Sequence, residues 1–232
     1  MMHKLAIFVT GMWMAVANLA AAQSGPVVVE LYTSQGCSSC PPADELLGKL
    51  AKRDDVLALS LHVDYWDYIG WKDIFASPQY TDRQHAYARA AGKRMVYTPQ
   101  MVIAGQDHVI GTKPGDVSRL LKSHAKTPSP VQLAISKNGD QLVIQAQADG
   151  GTGKMVVQLV RFVDGETVQI KRGENAGRAL SYHNIVTHWS VLKNWNGAKP
   201  LTLTADVTGD ESVAVIVQRV AHGPILAAAR LR

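Results

Sequence analysis

The chain has only two cysteines in 232 residues, Cys37 and Cys40, and they stand three positions apart. A disulfide between them closes a loop too short to constrain the unfolded chain much, so stapling is a weak reason for their presence. Their context is more telling. Val27-Val28-Val29-Glu30-Leu31-Tyr32 precedes them as a β-branched run, and Pro41 to Arg53 comes after them with Leu46, Leu47 and Leu50 on one helical face. A C-x-x-C between a strand and a helix is a redox pattern, because the helix start offers backbone N–H groups that lower a thiol pKa. Cys37 is then the attacking thiolate and Cys40 the resolving thiol. Burial of both sulfurs would count against this reading. Pro41 and Pro42 add a complication. They lack N–H groups and disfavour helical geometry at Cys40, so the helix either starts after Cys40 or has a distorted first turn.

Strand and helix signals continue to residue 124. Val56 to Val63 predicts a second strand, joined to the first through the helix and therefore parallel to it. Asp64 to Arg94 is an aromatic, helix-prone insert in which Ser77 and Pro78 open a helix that Gly92 ends. Met101–Ala104 and His108–Ile110 predict a hairpin, and a last helix runs from about Pro114 to His124. This order predicts a small mixed sheet flanked by helices. Lys126-Thr127-Pro128-Ser129-Pro130 reads as a stiff linker. After it the helical period stops. Val131–Ile135 and Gln141–Ala148 flank Asn138-Gly139, a hairpin signal. Further strands are expected at Met155–Val163, Val168–Lys171, Ala179–Trp189, Leu201–Ala205, Ser212–Val220 and Ile225–Ala229, with a turn at Asp164-Gly165. Residues 131–232 thus read as an all-β, sandwich-like domain.

The N-terminus sets the compartment. A basic start at Lys4, an apolar stretch from Leu5 to Leu19 and Ala20-Ala21-Ala22 together predict a secretory signal peptide over residues 1–22. The stretch is short for a membrane span, so no stable insertion is expected after cleavage. The expected location is periplasmic or secreted, where thiols are oxidised. Lys+Arg total 24 and Asp+Glu 19, giving +5, with no run of like charges that would suggest nucleic-acid binding.

Thr33-Ser34-Gln35-Gly36-Cys37-Ser38-Ser39-Cys40-Pro41-Pro42-Ala43-Asp44 resembles the hallmark of a family of secreted bacterial thioredoxin-like proteins catalogued as a domain of unknown function. His62-Val63-Asp64-Tyr65-Trp66-Asp67-Tyr68, Tyr97-Thr98-Pro99-Gln100 and Arg172-Gly173-Glu174-Asn175-Ala176-Gly177-Arg178 resemble the same family. The resemblance implies a thioredoxin-like α/β domain over residues 23–125, carrying the insert 64–94. It also implies that Thr98 and a cis Pro99 face the cysteines and hold a partner's backbone. Thioredoxin-like proteins carry a buried acid near their cysteines. Glu30, between Val29 and Leu31, fits that role as proton shuttle to Cys40, or else it is a carboxylate in a salt bridge.

Other features carry less. Cys37, Cys40 and His62 together suit copper or zinc, but a structural zinc site wants four ligands and His85, His108, Met95 and Met101 are scattered. No metal or cofactor is therefore expected. Tyr65, Trp66, Tyr68, Trp71 and Phe75 form either a peptide-binding rim or the core of the insert. Arg172 to Arg178 is a turn that binds an anion, contacts the first domain or is simply solvated. The leading expectation is a secreted thiol–disulfide oxidoreductase with protein thiols or disulfides as substrates and a redox partner protein. The alternative is a non-catalytic binding module for a protein or copper, in which the disulfide only closes the loop.

Overall fold

The structure, a computed structural model, describes residues 25–231; the expected signal peptide lies outside the described residues. β1 (Val27–Thr33) and β2 (Val56–His62), joined through α1 (Pro41–Ala51), pair in parallel from Val27 opposite Val56 to Thr33 opposite His62. β3 (Gln100–Ile103) pairs antiparallel with β1 and forms a hairpin with β4 (Asp107–Ile110), after which α3 runs from Pro114 to His124. The insert holds a short 3-10 turn, Asp67–Ile69, and α2 (Pro78–Ala90). Ser77 caps α2 by accepting from Gln79 N, with Pro78 in the first helical turn, as their sequence predicts.

The proline pair after Cys40 does not distort α1. The helix starts after Cys40, which caps it in right-handed helical geometry (φ −80°, ψ −34°). Pro41 and Pro42 fall in the first turn, where an N–H has no helical acceptor anyway. Cys40 O still accepts from Ala43 N and Asp44 N.

The second half contributes β5 (Val131–Asn138), β6 (Gln141–Ala148), β7 (Met155–Gln169), β8 (Ala179–Trp195), β9 (Leu201–Asp206), β10 (Ser212–Arg219) and β11 (Ile225–Leu231). Its arrangement corrects the expectation of a separate β-sandwich. β7, β8, β10 and β11 extend the first half's sheet, in the order β11-β10-β7-β8-β2-β1-β3-β4, and only β5-β6-β9 form a second, three-stranded sheet. The reason lies in β2, whose seven residues are all buried. A strand apolar on both faces cannot serve as a free edge. β8 covers that edge, pairing in parallel at Ser60 opposite Ile185. This short ladder is reinforced by side chains reaching β2 and β8 backbone. Asn184 Nδ2 donates to Ala58 O at 2.7 Å, Tyr80 OH to Val186 O at 3.0 Å and Gln79 Nε2 to Trp189 O at 2.7 Å.

Three cores result. α1 and α3 pack on one face of the sheet against Val29, Leu31, Val56 and Met101. On the same side the small sheet covers β7, β10 and β11, through Leu142 and Ile144 against Val157 and Val215. The opposite face carries Val28, Tyr32, Leu59, Phe162 and Ile216 under α2 and so spans both halves.

The junction on that face is polar at its centre. Arg83 of α2 forks onto Glu30 of β1, Nε to Oε2 at 2.7 Å and Nη2 to Oε1 at 2.9 Å. Tyr32 OH and Tyr87 OH also donate to this carboxylate, at 2.9 and 2.7 Å. Gln218 of β10 donates to Tyr87 OH, Gln158 of β7 to Gln218, and Trp189 of β8 to Gln158, while the Trp189 ring lies 3.9 Å from the guanidinium carbon. Burial, and next the Glu30 charge, push the Tyr32 hydroxyl pKa well up, so it stays a donor. Breaking one member of a buried pair strands the other charge. Glu30→Leu and Arg83→Met are each expected to cost about 3–5 kcal/mol by urea unfolding, and the double variant less than the sum of the two.

Candidate functional site

The cysteines sit at the head of α1, beyond the C-terminal ends of β1 and β2, where open α/β sheets gather their sites. They form a disulfide, S–S 2.07 Å. Both are buried, Cys37 at 1% and Cys40 at 0% exposure, while Ser38 and Ser39 between them are exposed. The two sulfurs have different surroundings. At Cys37, Thr98 Oγ1 donates to Sγ at 3.3 Å and Ser39 Oγ lies 3.4 Å away. The Thr98–Pro99 bond is cis, as the resemblance implied. The Trp66 indole N–H donates to Thr98 Oγ1 at 2.7 Å, and a Cβ on Gly36 would stand 3.1 Å from Trp66 Cβ. Trp66, from the insert, thus closes over the loop beside Cys37.

Beneath Cys40 the surroundings are acidic. Asp44 is one helical turn on, on the same face of α1, and helical side chains lean back over the preceding turn. It is 5% exposed. Burial lifts its carboxyl from an ordinary 3.8 to about 7, with Asp73 adding to the rise and His62 and the Thr33 hydroxyl opposing it. The Thr33 hydroxyl faces this carboxyl without a well-formed hydrogen bond. His62, at the end of β2 and fully buried, holds Asp73 Oδ2 at 2.7 Å through Nδ1. Asp73 in turn accepts from Gln35 N at 2.8 Å. The Tyr182 ring packs on His62, centroids 4.8 Å apart.

Glu30 is not part of this site. Strand alternation puts it with Val28 and Tyr32 on the face packed by α2, whereas Val29 and Leu31 face α1. Of the two roles open to it, the structure gives it the salt bridge, with Arg83. The acid that sequence reasoning missed is Asp44. Its signal was an acidic residue four positions after Cys40, between the apolar Ala43 and Leu47 of α1. Among the described residues, no group of three or more His, Cys, Asp or Glu side chains is placed to hold a metal ion. None of the described helices is long and apolar enough to cross a membrane. Of the aromatic cluster, Trp66 and Trp71 anchor the site's loops, Phe75 packs in a small core with Tyr182, and Tyr68 is 81% exposed.

Residues 28–218 match the family described as "Protein of unknown function (DUF1223)". The chain belongs to that family. Among solved structures it is similar to protein AGR_C_4864 from Agrobacterium tumefaciens, at 36% identity and a TM-score of 0.77, over 91% of this chain and 96% of that one. It also shares its fold with HBP35 of Porphyromonas gingivalis, at 15% identity and a TM-score of 0.61, over 90% of this chain and 75% of that one. No curated protein matches it.

The buried acid has a thermodynamic signature. The folded DUF1223 protein keeps a proton on Asp44 up to about pH 7, whereas the unfolded chain releases it near 3.8. The folded state therefore binds the extra proton between these values, and stability falls as pH rises through that window. Asp44→Asn is expected to abolish this fall, worth on the order of 2–4 kcal/mol between pH 4 and pH 8. Urea unfolding of both proteins across that range checks it.

Proposed function

We propose that the protein is a thiol–disulfide oxidoreductase that acts outside the cytosol on protein thiols or disulfides. The observation that carries this reading is the asymmetry of the two sulfurs. A hydroxyl donates to Cys37 Sγ, and a carboxyl that titrates near pH 7 lies one turn below Cys40. A clasp that only closes a loop has no use for either. A donor at Cys37 Sγ stabilises a thiolate there, and an acid near neutrality can pass a proton to or from Cys40.

The exchange is set by these positions. A thiolate of the partner attacks Cys37 Sγ, the Cys37–Cys40 bond breaks, and its electron pair leaves on Cys40, which takes a proton from Asp44. A mixed disulfide with Cys37 results. A second thiol of the partner then loses its proton to solvent, attacks the partner's own sulfur in that mixed disulfide as thiolate, and releases Cys37 as thiolate. The partner dithiol is oxidised and the protein's disulfide reduced; the reverse sequence reduces a partner disulfide. Thr98 and Pro99 support the reading as the surface on which the partner's backbone lies.

The burial of both sulfurs favours a second reading, a binding module for a protein partner with a structural disulfide. The copper version has less support, since among the described residues no group of three or more His, Cys, Asp or Glu side chains is placed to hold a metal ion. In the oxidoreductase reading the cover is the Trp66–Thr98 contact, and it must open for a partner to reach Cys37.

Equilibration of the purified protein in glutathione buffers, read by thiol alkylation, separates the two. The redox reading expects a midpoint within the accessible range, and Cys40→Ser to trap partner proteins as mixed disulfides where Cys37→Ser does not. A pair that stays oxidised throughout favours the clasp. Trp66→Ala is expected to speed reduction by dithiothreitol several-fold, followed as thiol release against time.

A further inference from the structure

The segment Arg172–Arg178, which stands out in the sequence and has no part in the thiol exchange, forms the tip of the hairpin between β7 and β8. It reaches the cysteine loop. Asn175 is 1% exposed, and its side-chain amide donates to Gln35 O at 2.9 Å and to Cys37 O at 3.0 Å. The orientation of the amide is settled by its other end, where Arg178 Nη1 donates to Oδ1 at 2.8 Å. The tip is braced from within, by Ile170 N to Arg178 O, Gly177 N to Ile170 O and Arg178 N to Asn175 O. A second strut meets the same loop where Trp71 Nε1 donates to Gln35 Oε1 at 2.8 Å. The backbone donors of the loop are spent elsewhere: Gln35 N on Asp73, Gly36 N on Ser34 Oγ and Cys37 N on Ser34 O. Asn175 takes two carbonyls of the loop, Gln35 O alone and Cys37 O together with Cys40 N.

We propose that Asn175 is a positioning residue that sets the redox equilibrium of the Cys37–Cys40 pair, an inference that rests on the oxidoreductase reading. While the disulfide is closed, the covalent bond itself holds the loop. Once it is reduced, only non-covalent ties remain, so the amide clamp matters more to the dithiol form. The clamp also keeps the Gln35 and Cys37 carbonyl oxygens turned toward the amide. A carbonyl oxygen swung toward Cys37 Sγ would oppose the negative charge of the thiolate. Both effects favour the reduced state, so the hairpin of the second half tunes a site built by the first.

The test is the glutathione equilibrium of full-length mature wild type, Asn175→Ala and Asn175→Asp, with urea unfolding of each in both redox states. Asn175→Asp keeps the size and the Arg178 partner while removing both donors, and it serves if the alanine variant does not fold. The expected result is an equilibrium shifted about five- to tenfold toward the disulfide in either variant, the size of losing a buried hydrogen-bond pair. The reduced forms should be destabilised more than the oxidised forms, as the thermodynamic cycle requires. A purely structural role would lower the stability of both forms equally and leave the equilibrium in place. Variants within twofold of a wild type that does equilibrate overturn the inference alone. A wild type that never equilibrates overturns the redox reading, and this inference with it.

Discussion

The structure hangs on the ion pair between Glu30 and Arg83. It lies where β1, α2, β7, β8 and β10 converge, on the one face of the large sheet that both halves share. The backbone ladder between β2 and β8 is slight, with Ser60 paired opposite Ile185. Side chains make up for it. A buried guanidinium needs its donors satisfied, and only the assembled sheet supplies Glu30, Tyr87 and Gln218 together. The halves therefore seat in one register, in which the buried amides of Gln158 and Gln218 find Arg83 and Tyr87; any other leaves these polar groups unpaired in the core.

That register is what brings the second half to the cysteines. β7 and β8 are long strands, and their length carries the hairpin tip past the end of β2 to the cysteine loop. The same hairpin places Tyr182 against His62. The Cys37–Cys40 disulfide is thus enclosed by α1 beneath, the insert on one side and the hairpin tip on another. The enclosure explains how a disulfide beside two exposed serines is itself buried.

Local signals were readable where one residue's conformation settled the matter. Ser77-Pro78 opened α2, and the strands beside Asn138-Gly139 formed a hairpin, with Gly139 at φ 58°. They misled where tertiary contact overrode them. Asp164-Gly165 reads as a turn but lies inside β7, where a Cβ on Gly165 would come within 2.8 Å of Tyr182 O across the hairpin. The glycine serves a close strand approach there. Glu30 misled for another reason. Its burial was legible from its neighbours, but which face of β1 it occupied relative to α1 depended on packing. Asp44 was legible in principle, as an acid in the apolar stripe of α1.

The sequence by itself determined the strand, cysteine pair and helix, the alternation of elements to His124 and the all-β character of the second half. These are matters of period, turn chemistry and spacing, which act over a few residues. Only the tertiary structure decided that the second half joins the first in one sheet, that Asp44 and not Glu30 lies beneath Cys40, and that Asn175 grips the cysteine loop. The first and last of these depend on residues far apart in the chain, Ser60 with Ile185 and Cys37 with Asn175, and the role of Glu30 depends on its pairing with Arg83. Contacts of that kind are chosen by which faces and charges remain to be buried once the local elements have formed.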